Sequence, residues 1–142
     1  MARVRLLDKK EAPPESRELL ERMEARGVMI INLYRALAHV PSAMAPFLKL
    51  GSALLSRAEL PARERELAIL RVAWQAGSQY EWAQHEPLAR EAGLTEAEIA
   101  AVAGWERSAA FSPRERAVLA YTDAVAREVQ VPDEVFEELG RH

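Results

Sequence analysis

Glu81 and His85 stand four residues apart in the run SQYEWAQH, residues 78–85. On a helix that spacing puts both side chains on one face and within reach of each other, with Ser78 facing the same way at the helix start. A carboxylate beside an imidazole favours the protonated ring, a pairing suited to moving protons to and from a bound molecule. Glu66 precedes them. Helical spacing puts it in a row with Leu70, Ala73 and Gly77, towards the apolar side, where an acid needs a partner. Together they describe a histidine held between two acids. His85 would be the general acid or base, Glu66 and Glu81 would orient and tune it, and Ser78 would donate a hydrogen bond to substrate. The competing reading is an ordinary helix-stabilising Glu–His pair worth about 0.3 kcal/mol on a solvated face.

Other candidates are weaker. His39, just before Val40-Pro41, suits a helix C-terminus, where the dipole favours a cation, and it is also a candidate to line the same pocket. Tyr80 is a candidate substrate contact, although it, Trp74 and Trp82 are of a type more often found in cores and interfaces. His142 ends the chain. Two acids and one histidine, with no second histidine near, do not make a convincing metal set, so no metal or cofactor is expected. The chain has no cysteine. Disulfides, thiolate metal sites and thiol redox chemistry are therefore closed to it acting alone.

Helices must position these residues. Pro61 opens the strongest one, with Leu67, Leu70 and Trp74 on one face, and Ala76-Gly77-Ser78 breaks it. A second helix follows from Tyr80 to Glu91, with Pro87 expected to kink it beyond the charged cluster. Thr95 with Glu98 and Ser112 with Glu115 have the spacing of capping boxes, each opening a further helix. Val131-Pro132-Asp133 opens the last one. Upstream, residues 1–13 read as an extended arm ending at Pro13-Pro14, and Glu15 to Arg26 as a surface helix stopped by Gly27. Pro41 divides the apolar run after it into helices at about 29–39 and 42–55, the second apolar on so many sides that it belongs either at the core or in a subunit interface. No alternation supports a strand, so the class is all-α: a single domain over residues 14–142 behind the arm. The run LPARER at 60–65 recurs loosely as FSPRER at 111–116, a hint of two related helical halves.

The 142 residues are 49% hydrophobic with a formal charge of −3, enough for one core and without the basic footprint of a nucleic-acid or membrane-surface binder. The N-terminus lacks the apolar run of a signal peptide, and no stretch approaches the length of a spanning helix. A cytoplasmic protein with a small-molecule substrate, and no nucleic-acid or membrane partner, is the expectation.

The segment RERELAILRVAWQAGSQYEWAQHEPLAREAGLTEAEI, with INLYRALAHVPSAMAPFLKL before it, resembles the carboxymuconolactone decarboxylase and alkyl hydroperoxidase D superfamily over residues from about 30 to 128. The resemblance implies an all-α, alkyl hydroperoxidase D-like bundle that assembles as a homo-oligomer, a trimer or a hexamer. In the peroxidase branch the site is a glutamate, a Cys-x-x-Cys pair and a proton-relaying histidine. Those positions fall on Glu66, on Ser78 and Glu81, and on His85. The relay is kept and the redox centre is lost, since a serine hydroxyl does not cycle through sulfenic acid or a disulfide. The decarboxylase branch does not depend on cysteines. The resemblance therefore implies cofactor-free acid–base chemistry, decarboxylation or isomerisation, on a small carboxylated molecule. The alternatives are a non-catalytic binding or assembly protein that kept only the fold, or an antioxidant role drawing its thiols from a partner.

Overall fold

The structure, a computed structural model, describes residues 3–142. Every regular element among them is helical. The chain forms two compact units, one ending at Ala58 and one spanning Glu59–His142.

The first unit holds α1 (Pro14–Ala25), α2 (Asn32–Leu37) and α3 (Pro41–Ser56). Pro14 sits in the first turn of α1, where its missing N–H costs nothing. Gly27 follows the helix at φ +78°, a left-handed turn that a Cβ would oppose. The segment before α1 is packed onto its own chain. Leu7 and Ala12 are buried with Leu20, Ala38 and Met44, and Arg35 donates to the Asp8 carboxylate at 2.7 Å. The helix expected at 29–39 is shorter, because Val28 to Ile31 are not helical and Ile31 caps α2 in an extended conformation. Three of those four residues are β-branched, which lowers helix propensity. In α3 only Met44 is buried, while Phe47, Leu50, Leu54 and Leu55 are 43–59% exposed. Of its two expected roles, the core one is not what the structure shows.

The second unit is built on α4 (Ala62–Gln75), which packs against α5 (Gln79–Glu91), α7 (Pro113–Glu128) and the 3₁₀ turn Val102–Arg107. Leu67, Leu70 and Leu119 are fully buried at the centre, each contributing about 2 kcal/mol through loss of apolar surface to water. Both capping boxes are formed: Thr95 with Glu98 starts α6 (Glu96–Ala101) and Ser112 with Glu115 starts α7. The last helix, α8 (Asp133–Gly140), lies against α7. Pro87 sits inside α5 without ending it.

Two ion-pair systems lock α4 to α7. Arg71, 1% exposed, makes a bidentate pair with Asp123 at 2.5 and 2.8 Å and donates to the carbonyls of Val102 and Ala103. Trp105 Nε1 donates to the same Asp123 at 3.1 Å. At the helix starts the two related hexads exchange partners: Arg63 bonds Glu115 at 2.6 Å, and Arg114 pairs with Glu64 at 2.9 Å. Each arginine reaches the glutamate that follows its counterpart in the other copy of the pattern. Such a reciprocal exchange is what a local two-fold relation between α4 and α7 produces.

Candidate functional site

The end of α4 and the start of α5 bring the acids and the histidine together. Gly77, at φ +61°, takes the left-handed conformation that ends α4 and turns the chain. Ser78 then caps α5, its hydroxyl accepting from the Glu81 N–H at 3.3 Å. This bond satisfies one of the free donors of the first turn. Ser78 therefore has a structural task in holding the turn that carries Glu81.

Glu66 is 1% exposed and both its oxygens are engaged. Oε2 lies 2.7 Å from His85 Nδ1, and Oε1 accepts from Arg65 Nε at 3.1 Å. The other face of the ring meets Glu81, with Nε2 at 3.4 Å from Oε1, an ion-pair distance looser than a hydrogen bond. The order in space is thus Glu66, His85, Glu81. The tight Glu66 contact sets the ring orientation, and an ionised carboxylate in that place would require the hydrogen on Nδ1, because it only accepts. Nε2 is left facing Glu81, able to take or return one proton. Because the acids flank the ring on opposite nitrogens, the three groups do not converge on one point as metal ligands would. Among the described residues, no group of three or more acidic and histidine side chains is arranged to hold a metal ion.

Glu81 differs from the other two in what it faces. Its side chain is 44% exposed, against 12% for His85 and 1% for Glu66. It borders a cavity of about 510 Å³ walled by α4 and α7, with Leu60, Ile69, Val72, Val118, Tyr121 and Val125 among the lining residues. Neither Glu66 nor His85 lines it. Glu81, expected to tune the histidine, is the member of the chain placed at the cavity, and His85 stands behind it.

The remaining sequence candidates fall elsewhere. Tyr80, in the first turn of α5, is 39% exposed and outside the cavity lining. His39 belongs to the first unit, where its Nε2 lies 2.7 Å from the Arg5 carbonyl. Tyr121, on α7, also lines the cavity and was not among the residues singled out from the sequence.

The carboxymuconolactone decarboxylase family pattern matches residues 41–124. Among solved structures, the chain is similar to a protein of unknown function from Agrobacterium tumefaciens, called there a candidate antioxidant defence protein AhpD. The identity is 29%, with 75% of this chain and 73% of that one covered and a TM-score of 0.69. The alkylhydroperoxidase AhpD core of an uncharacterised peroxidase-related protein from Ralstonia eutropha is 24% identical over 99% of this chain and 75% of that one. Its TM-score of 0.79 shows a shared fold. No curated protein matches. The family match takes in α3 through most of α7, including every member of the acid–histidine chain, and the protein belongs to the carboxymuconolactone decarboxylase family.

Proposed function

We propose that this protein is an acid–base enzyme that transfers a proton to or from carbon in a molecule bound beside Glu81. The observation that carries the reading is the linear order of Glu66, His85 and Glu81, ending at an apolar cavity. Glu81 exchanges the proton with the ligand. His85 Nε2 receives it from Glu81 or returns it, and Glu66, held by Arg65, keeps the ring in register. Low-dielectric walls strengthen such charge interactions relative to water. The chain carries no thiol of its own, so Glu81, the one carboxylate of the Ser-x-x-Glu pattern, supplies acid–base function where relatives of the peroxidase branch would use sulfur.

Deuterium wash-in tests this directly, because it requires proton transfer and nothing further. The purified protein is incubated in D₂O with a panel of carbon acids and exchange is followed by proton NMR. Wild type is expected to accelerate exchange of at least one class, and His85→Gln to lose that acceleration while keeping its helical circular dichroism. Full exchange rate in the His85→Gln variant would overturn the relay.

A further inference from the structure

Among the described residues, Arg65 is the one cation bonded to the acid–histidine chain. Its Nε donates to Glu66 Oε1 at 3.1 Å, and its guanidinium makes no other hydrogen bond among them. The related hexad uses the same position differently. Arg116, the counterpart of Arg65 in FSPRER, donates to the backbone carbonyls of Trp105, Glu106 and Ser108 at 2.9–3.1 Å, and the residue after it is Ala117. In α4 the arginine is followed by Glu66 and turns to that carboxylate.

Burial gives this cation its weight. The Glu66 side chain is 1% exposed and that of Arg65 24%, so their attraction is screened less than that of a surface pair. On the far side of Glu66 stands the His85 ring, and beyond it Glu81, a second acid. Elsewhere on α5, Glu86 is held by Arg90. On α7, which packs against α4, Arg114 is engaged by Glu64, Glu115 by Arg63 and Asp123 by Arg71.

Without Arg65, a buried carboxylate would face a neutral ring as an uncompensated charge, which such a pair relieves by taking up a proton. If the proton goes to the carboxyl, Glu66 donates to Nδ1 and the ring hydrogen moves to Nε2. If it goes to the ring, the imidazolium has hydrogen on both nitrogens. Nε2 carries hydrogen in either case and has no electron pair left for a proton from Glu81.

We infer that Arg65 is a positioning residue of the relay: its charge, bonded to Glu66, holds the Glu66–His85 pair one proton short, with hydrogen on Nδ1 and the electron pair of Nε2 towards Glu81. In that state transfer balances. The Glu81 O–H bond breaks as an Nε2–H bond forms, the reverse step returns the proton, and no oxidant or reductant is consumed. The consequence for catalysis rests on the proton-transfer reading of the same site; the placement of hydrogen is measured without a substrate.

The ring nitrogens of the isotope-labelled full chain are read by NMR at neutral pH, and His85→Gln identifies the His85 signals among the three histidines. In wild type, hydrogen is expected on Nδ1 and not on Nε2. Arg65→Met and Arg65→Gln remove the charge and should put hydrogen on Nε2; Arg65→Lys keeps the charge and should keep the wild-type pattern. Two uncharged variants are made so that loss of fold in one, seen by circular dichroism, leaves the other to decide. In deuterium exchange of a carbon acid, the uncharged variants should fall about tenfold at neutral pH. They should recover as pH rises and the pair releases its proton, a dependence that a lost packing contact would not produce. Hydrogen on Nε2 in wild type would overturn the inference, as would a wild-type nitrogen pattern in the folded uncharged variants. A lysine variant that matches the uncharged ones would have the same consequence, since it keeps the charge. The expected nitrogen patterns without exchange of any carbon acid in wild type would sink proton transfer and leave the role of Arg65 in placing the hydrogen.

Discussion

Two clusters of charge sit on α4, within one turn of each other, and they end differently. At the helix start Arg63 is saturated, bonded to Glu98, to Glu115 at 2.6 Å and to the Gly93 carbonyl at 2.7 Å. Every partner is a fixed acceptor, two of them capping-box glutamates that also bond the backbone of their own helices. The Glu98 hydrogen bond, opposed by burial, holds the Arg63 guanidinium above its ordinary value. Three residues on, Glu66 begins a chain that passes through a titratable ring and stops at a carboxylate bordering a cavity. The first arrangement leaves no proton with anywhere to go. The second has an open end. Charge density alone does not separate a structural cluster from a chemical one; whether a group is left over at a cavity does.

The largest expected effect tests the open end. Glu81→Gln should lower any proton-transfer rate by at least about 100-fold, the contribution typical of a general acid or base, while urea denaturation reports a stability close to wild type. A variant that keeps its rate would reduce the Glu66–His85–Glu81 chain to the same structural standing as the Arg63 cluster. The mirror experiment is Arg63→Met. It should cost about 3 kcal/mol of unfolding free energy, because two largely buried carboxylates lose their cation, with proton-transfer activity retained.

Acid sharpens the same contrast. Burial pushes Glu98 and Glu115 upward. That is outweighed by hydrogen bonds, from Arg63 and Thr95 to Glu98 and from Ser112 and Arg63 to Glu115, so both titrate below the ordinary 4.5. A carboxylate with a lowered folded value contributes stability that is fully present above its unfolded value and is lost as pH falls through the folded one. Stability should therefore drop as pH is taken below about 4.5, and the slope should flatten in Arg63→Met; urea titrations across that range measure both. The smallest effect is expected at Ser78→Ala. Loss of the cap on Glu81 N–H should cost about 1 kcal/mol, read as a lower urea midpoint.

Much of this molecule was legible in the chain. Pro61, the capping boxes at Thr95 and Ser112, and the break at Gly77 are local signals acting within one turn, and each appears where the spacing placed it. Glu66 and His85 were legible because the row shared with Leu70 and Ala73 already turned the acid inward. The start of α2 was not, since the competition between helix and extended backbone at Val28–Ile31 has no sharp sequence marker. Arg71 and Asp123 were also invisible as a pair: 52 residues separate them, and each alone reads as an ordinary surface charge.

The sequence by itself determined the helices, their ends, the absence of a thiol and the presence of a histidine between acids, because all of these depend on residue type and short spacing. Only the tertiary structure decided the spatial order of Glu66, His85 and Glu81 and which of them borders the cavity. Packing α4 against α5 put Glu66 under the ring, and packing α7 against α4 raised an apolar wall with Tyr121 in it beside Glu81. A side chain's role depends on what stands opposite it, and what stands opposite Glu81 comes from a helix about forty residues further along the chain.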